Sequence, residues 1–402
     1  MGAIKYWLWL SGQRGVSSRA KAAVIRHYED AELAFFAPSG EFEKLPGVSK
    51  TEAALLEKRE LDNAGRIYKD CERLGLDIIT MQDARYPSRL KNILTPPVLL
   101  YVKGSLPDTD SQPVIAVIGT RKASPYGLKM GRILSYETAK CGGAVISMLS
   151  AGIDREAARG CLLAGGQCIG ILGTGHGEDN ALYRDIASKG ALISEYPPGT
   201  VPHKYFFRER NRIAAGLCHG VVVVEAPEKS GALLFAAEAL EQGREVFAVP
   251  GNADSPSSAG AIALIKQGAK PATCGWDVLE EFEYLFYGKL KKPEGPIPIP
   301  PISGPEEQKP RSAPEARETT IKDIDKQKPS GYIDLREQLS ALNEEQLKII
   351  GAVEGENTHI DDIIERTGLS TAKVLAQLTI LEIKGFVRRS AGRCISLNIR
   401  SK

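Results

Sequence analysis

Six short runs, Val114–Ile118, Ala144–Ser147, Cys168–Leu172, Leu192–Ser194, Val221–Val224 and Glu245–Val249, are built almost wholly of Val, Ile, Leu and other apolar residues. A strand with no polar alternation has no face that tolerates water, so the sheet they form is covered on both sides. Between them lie helix-length segments: Tyr126–Cys141, one from Asp154, one near Ala181–Ser188, Arg210–Leu217, and one from Gly231. Parallel strands need such crossovers, and two covered faces need helices on each. The expected fold class is α/β, an extended Rossmann-like, doubly wound and mostly parallel sheet.

That sheet accounts for only part of the 402 residues, more than one core ordinarily serves. Residues 1–75 read as helices alone. Ser17 and Ser18 start one helix, and Leu45-Pro46-Gly47-Val48-Ser49 opens another that runs from Lys50. This N-terminal all-α module is SAM-like or helix-hairpin-helix-like, with Ser49 where the second glycine of a phosphate-holding hairpin would stand. Nine prolines fall between Pro293 and Pro329, in a charged stretch too poor in apolar residues to form a core. The expected boundaries are therefore 1–75 for the helical domain, 76–288 for the α/β domain, 289–335 for a disordered linker and 336–402 for a last domain. In that last part Asn343 and Gln346 form a capping box. Helices over His359–Arg366 and from Ser370 to Ile383, then a hairpin including Arg393–Ile399, spell a winged helix. No internal repeat is visible.

Fifty-two Lys and Arg against 50 Asp and Glu leave a net charge of +2, which excludes a wholesale basic tail but not local patches. Hydrophobic residues at 43% and charged ones at 25% are those of a folded globular chain. The seven cysteines lack a Cys-x-x-Cys pair or a histidine at metal-ligand spacing, so reduced, mostly buried thiols and no metal are expected. The opening apolar run is too short for a signal peptide, and no stretch is long enough for a membrane span. The reading is cytoplasmic, with no membrane partner.

Ligands of doubly wound sheets bind outside the carboxyl ends of the strands. There the chain carries Gly119–Gly127, Met148–Asp154, Gly173–Gly177, Glu195–Gly199 and Glu225–Gly231, several of them rich in glycine and hydroxyls. Such turns bring backbone N–H groups to an anion at a helix start, or simply make tight turns. Pro202–Arg212 adds four Lys/Arg against one Glu, interleaved with three aromatics, a pattern suited to phosphate and to unstacked bases. One of Phe206 and Phe207 belongs to the core. Arg210 and Arg212 sit at i and i+2 on different faces, so one can meet phosphate while the other pairs with Glu195 or Glu225. Gly173, Gly175 and Gly177, with Glu195 22 residues after the first, imitate a dinucleotide fingerprint, but the third glycine is misplaced. Asp154, Glu195 and Glu225 read as carboxylates that orient arginines or cap helices. The five histidines, His27, His176, His203, His219 and His359, are scattered.

Together, Val117–Gly127, Ser147, Gly152-Ile153-Asp154, Ser194–Gly199, Arg210-Asn211-Arg212, Val223–Ala226, Lys229-Ser230-Gly231 and Glu241–Gly251 closely resemble the bacterial DNA-processing protein DprA (Smf) family over about residues 80–282. The resemblance implies a protein that binds single-stranded DNA without a cofactor, is not an enzyme, and dimerises through the Rossmann-like domain. It also implies loading of the RecA recombinase on the strand during natural transformation. Carried residue by residue, it places DNA contacts on Gly119, Thr120, Arg121, Lys122, Ser147, Gly152, Arg210, Asn211, Arg212, Lys229, Ser230 and Gly231, with Lys204 for phosphate and Phe207 for base stacking. The chain departs from the family pattern at Ala151, where an arginine is usual, at Ala158, at Ile262 and in a shortened Gly175–Asn180 loop. Six Lys/Arg between 380 and 402, at 384, 388, 389, 393, 400 and 402, suit either a nucleic-acid backbone or a protein. Two rival readings are a phosphoribohydrolase-like nucleotide-processing enzyme, which lacks its Pro-Gly-Gly-x-Gly-Thr motif here, and a transcription regulator acting through the winged helix.

Overall fold

The computed structural model describes residues 2–299 and, within 344–397, residues 344–353, 358–371, 373–374, 377–378, 381, 386–390 and 394–397. The chain divides into two compact units, 1–305 and 306–402.

The first unit opens on five helices: α1 Ile4–Ser11, α2 Ser18–Tyr28, α3 Ala31–Phe35, α4 Lys50–Leu56 and α5 Asp62–Leu74. Ser17 caps α2 and Ser49 caps α4 in a capping box with Glu52. The same Glu52 also accepts from the Ser17 amide at 2.9 Å and hydroxyl at 2.6 Å, so one carboxylate serves two helix starts. Burial pushes against its ionisation, but these hydrogen bonds from Ser17 and Ser49 win and bring its pKa down to about 2. Gly75 ends α5 in the left-handed conformation, φ 61°. The helices close on Trp9, Leu8, Leu10, Phe42 and Leu56, all almost wholly buried.

The remainder of this unit runs β1 Asp77–Thr80, α6 Ser88–Lys91, β2 Leu99–Gly104, β3 Val114–Ile118, α7 Pro125–Lys140, β4 Ala144–Ser147, α8 Ile153–Leu163, β5 Cys168–Ile171, α9 Ala181–Lys189, β6 Ala191–Ser194, α10 Lys204–Leu217, β7 Gly220–Val223, α11 Gly231–Glu241, β8 Glu245–Ala248, α12 Ala259–Lys266, β9 Lys270–Pro271 and α13 Gly275–Leu279. The nine strands form one sheet in the order β1-β2-β6-β5-β4-β3-β7-β8-β9. All neighbours from β6 to β9 are parallel, and β1 and β2 join antiparallel at one edge. Each central strand buries both faces. Ala116, Ile146, Ile169 and Val221 meet Ile213, Leu217 and Phe235 of α10 and α11, while Ile115, Val117, Val145 and Val222 meet Leu134, Ile153, Ala157 and Ile186 of α7, α8 and α9. Each such side chain contributes about 1.5–3 kcal/mol by leaving water.

The expected α/β architecture is therefore present, with additions that include helices α6, α12 and α13. β1 and β2 were not foreseen as strands of this sheet, because their antiparallel pairing leaves no helical crossover to announce them. The two-residue β9 is too short to carry a pattern. Helix α10 begins six residues before the expected Arg210, because His203 caps it by accepting from the Tyr205 amide; most of the aromatic and basic segment is therefore helical rather than loop.

In the second unit, helices Glu344–Ala352 and Ile360–Thr367 and strands Thr358–His359, Val387–Ser390 and Cys394–Leu397 enclose Ile349, Ile363, Val374, Leu378, Leu381 and Ile395. The strands pair antiparallel, the short one beside Cys394–Leu397, so the expected hairpin gains a third member. This is the winged-helix arrangement. Described residues 371, 373–374, 377–378 and 381 of the expected third helix are helical. Asn343 of the expected capping box, most of the expected linker, and Lys384, Arg393, Arg400 and Lys402 lie outside the described residues, as do the side chains of Arg388 and Arg389. No helix among the described residues is long and apolar enough to cross a membrane. Cys71, Cys141, Cys161, Cys168 and Cys218 are buried free thiols, and Cys274 is a half-buried one.

Candidate nucleic-acid interface

The strand order reverses between β3 and β7: β4, β5 and β6 lie to one side of β3, β7 and β8 to the other. A crevice opens at the carboxyl ends of strands at such a switch point. Here its walls are the turn after β3, Gly119–Ser124, and the segment after β7, Val224–Ser230. Backbone bonds hold the two together. The Thr120 amide donates to the Glu225 carbonyl at 2.8 Å, and the Val224 amide to the Ile118 carbonyl at 2.9 Å. The buried Glu225 carboxylate accepts from the Ser124 amide at 2.9 Å and from the Ser124 hydroxyl. Gly127 is required beneath it, since a Cβ there would stand 2.4 Å from a carboxylate oxygen. Glu225 is thus an organiser of the β3 turn, a role that its sequence position only hinted at.

The next loop, after β4, completes the floor. Gly152 has φ 81°, and a Cβ on it would meet the Thr120 carbonyl at 2.5 Å and the Arg121 carbonyl at 2.7 Å. Only glycine combines that backbone with that approach. It stands at the start of α8 with no side-chain cap, so the helix opens onto the β3 turn. Asp154, in the first turn of α8, accepts from the Gly119 amide at 3.2 Å. Burial pushes its pKa up to about 6, against the pull of Arg210 and of hydrogen bonds from Gly119 and Ser150. Its oxygens are occupied in tying two loops together.

Arg210 projects from α10 beneath this floor and is 6% exposed. Its guanidinium donates to the Met148 carbonyl at 2.7 Å, the Ile171 carbonyl at 3.2 Å and the Ser150 hydroxyl at 3.1 Å. Burial lowers its pKa to about 10; Asp154 opposes that shift and Arg121 adds to it, which places Arg121 in the same charge neighbourhood. Phe207 lies 5.0 Å under the guanidinium and packs against Gly173, where a Cβ would come within 2.7 Å of the ring. It is half-buried. Phe206 stacks at 4.2 Å on Tyr196, whereas Tyr205 is 49% exposed, the most open ring of the segment.

These bonds also decide the fate of the glycine fingerprint. Gly173 is filled by Phe207, and the Gly175 amide donates to the Thr200 carbonyl at 3.0 Å. The loop is zipped to residues 195–200 and does not run into a helix, since α9 starts only at Ala181. A dinucleotide pyrophosphate would find no helix start at Gly177.

Against the residues implied by the resemblance, the structure brings Gly119, Thr120, Arg121, Gly152, Phe207 and Arg210 together. Arg121, Lys122 and Lys229 are exposed and donate no side-chain hydrogen bond to the described residues. Ser230 caps α11, accepting from the Ala232 amide at 3.2 Å, and Gly231 is exposed in its first turn. Asn211 is half-buried. Lys204 opens α10, and its side chain lies outside the described residues.

Two of the expected contacts are corrected. Ser147 is fully buried, donating to the Asp154 carbonyl at 2.7 Å and accepting from the Leu149 amide, so it shapes the loop from below. Arg212 points away from the crevice. It pairs with Glu195 at 2.5 Å, is 6% exposed, and has Lys21 of α2 and Tyr86 in its charge field. Burial would lower its pKa, but Glu195 holds it above the usual arginine value. Of the two arginines, this is the one that took the carboxylate partner.

The sequence profile of DNA recombination-mediator protein A matches residues 77–283, and that of the DprA winged helix domain matches residues 335–393. The chain belongs to the DNA recombination-mediator protein A family. Within it, the chain is 32% identical over 412 residues to Protein Smf of Synechocystis sp., covering 96% of this chain and 97% of that protein. It is 40% identical over 212 residues to DNA processing protein DprA of Bacillus subtilis, covering 52% of this chain and 71% of the relative. The X-ray structure of DNA processing protein A from Streptococcus pneumoniae superposes with a TM-score of 0.61 at 32% identity, over 69% of this chain and 98% of that one.

The departures from the family pattern fall in different environments. Ala151 is exposed on the loop beside Gly152. Ala158 is fully buried inside α8, and Ile262 is half-buried on α12. Gly175–Asn180 keeps its place through the Gly199 amide, which donates to the His176 carbonyl at 2.9 Å, and through the His176 ring, 2.9 Å from the Tyr101 carbonyl.

Proposed function

We propose that this member of the DNA recombination-mediator protein A family binds single-stranded DNA across the carboxyl edge of its sheet. It protects the strand and passes it to the RecA recombinase during uptake of DNA. The observation that carries this reading is the arrangement of free cations around a bonded floor. Arg121, Lys122 and Lys229 stand in solvent on the turns after β3 and β7, while Arg210 adds buried positive charge below. Phosphates sit on the rim, and the exposed Tyr205 and half-buried Phe207 offer rings to bases. Binding of this kind tolerates any sequence, because phosphate contacts and ring stacking carry no base identity.

In this reading the protein acts in the cytoplasm by binding, not by turnover, and as a homodimer through the α/β domain. The test is a titration of labelled single- and double-stranded oligonucleotides at rising salt. Preference for the single strand, with an affinity that falls steeply with salt, is expected, and an Arg121→Ala/Lys122→Ala/Lys229→Ala variant should show a shallower slope. Equal affinity of that variant for single strands would overturn the placement. Loss of binding only on removal of residues 336–402 would transfer it to the winged helix.

A further inference from the structure

On the opposite, amino edge of the same sheet lies a second cleft, of about 760 Å³, which the reading above does not use. Its size is that of small-ligand sites. Three donors converge on it: Arg89 of α6, His219 at the foot of β7 and Arg244 at the foot of β8.

Two of the donors, His219 and Arg244, are fixed in a form that suits an anion. The His219 ring accepts the Val114 amide on Nδ1 at 3.1 Å, so in the neutral ring the proton sits on Nε2. His219 is 5% exposed and stays neutral, since burial, with Arg89 and Arg244 beside it, brings its pKa down to about 3. Arg244 is anchored by Nε to the Ala215 carbonyl at 2.8 Å and by one terminal nitrogen to the Gly216 carbonyl at 3.1 Å, the last turn of α10. Its other terminal nitrogen has no such partner among the described residues. Arg89 is half-buried and makes no hydrogen bond or ion pair with the described residues, although it acts on both Arg244 and His219 electrostatically. Two carboxylates line the cleft, Asp110 and Glu241; both are exposed, and neither is ion-paired to an arginine. Asp110 instead accepts from the Ser88 amide at 3.1 Å.

Two like charges drawn together beside a neutral ring, half out of water and unpaired, are a costly arrangement that a doubly charged oxyanion would relieve. The other side of the cleft is apolar, with Ile93 and Phe286 buried and Leu94 and Leu285 exposed at 84% and 52%. In addition, the Gln242 Oε1 atom in its lining is buried without a donor. We propose that this cleft is a small-molecule site for a mononucleotide-sized ligand, its phosphate held by Arg89, Arg244 and the Nε2–H of His219 and its flat base set against Phe286 and Leu285. The site is independent of the strand-binding edge.

Calorimetric titration of the full chain with thymidine 5′-monophosphate, thymidine and inorganic phosphate tests this. The nucleotide is expected to bind at least about tenfold more tightly than either fragment, and Arg89→Ala to weaken it by about tenfold or more. Arg89→Gln, which keeps bulk and hydrogen bonding without charge, should weaken it similarly while leaving the melting temperature in place. Affinity for single-stranded oligonucleotides should be unchanged in both variants. Equal nucleotide binding by wild type and Arg89→Ala, or phosphate binding as tightly as the nucleotide, overturns the proposal. So does a loss of oligonucleotide affinity with nucleotide binding intact, which would make the cleft part of the polymer's path.

Discussion

The two edges of the sheet use arginine in opposite ways. At the carboxyl edge the floor is wired: Arg210 makes three hydrogen bonds to the loop after β4 and the end of β5, Asp154 and Glu225 tie the β3 turn, and Arg121, Lys122 and Lys229, whose side chains bond to none of the described residues, stand in water. At the amino edge the relation is inverted, with Arg89 half-buried and unpaired among the described residues, in a cleft that has apolar side chains on one side. A rim of solvated charges suits a long, mobile polyanion whose counterions are released on contact. A partly desolvated pair in a cleft suits a compact anion that stays put. What decides between these uses is the set of bonds each cation already makes, and a charge count contains none of that information.

Substitutions should separate the classes, beginning with the arginine that is already paired with a carboxylate. Arg212→Ala leaves Glu195 buried without its cation and is expected to cost about 3–5 kcal/mol in urea unfolding; a loss under about 1 kcal/mol would mean that the pair is not structural. Arg210→Ala strands the Met148 and Ile171 carbonyls, so it should cost about 2 kcal/mol and also lower single-strand affinity, because the floor under the rim is released. If affinity falls while the melting temperature holds, Arg210 is a ligand group more than a brace. Next comes Glu52, whose folded pKa is depressed to about 2 from the ordinary 4.5. Its contribution is complete above about pH 4.5 and is lost as pH falls toward 2. Thermal melts across that window should show a steeper decline in wild type than in Glu52→Gln. Least of all, Arg121→Ala, Lys122→Ala and Lys229→Ala should each alter stability by no more than about 0.5 kcal/mol while reducing the salt slope of DNA binding.

The doubly wound core was legible because strands such as Val114–Ile118 and Val221–Val224 are apolar on both faces, a pattern that leaves no other architecture. The glycine turns were legible as turns, and Arg212 as one of a pair that would find a carboxylate. The sequence is silent on the rest for physical reasons. Ser147 and Thr120 are both hydroxyl residues in or next to a strand end, and only the packed loops distinguish the buried one from the one at the surface. The Arg89–His219–Arg244 cluster draws on residues 155 positions apart that no spacing rule connects. Strands β1 and β2 were missed because an antiparallel edge carries neither a crossover helix nor a two-sided apolar run in β1.

Strand β2 also changes what the first 75 residues are. Its Leu99 and Tyr101 point into the helical core beside Trp9 and Leu56, while its Leu100 and Val102 point into the core of the sheet. The Tyr101 hydroxyl meets Ser11 of α1 at 3.1 Å, and its carbonyl meets His176 on the far side. Two hydrophobic interiors therefore share one wall. A truncated chain that begins near residue 76 would present a greasy strip on one face of β2, inviting self-association, and heating the intact chain should melt helices and sheet in a single calorimetric transition.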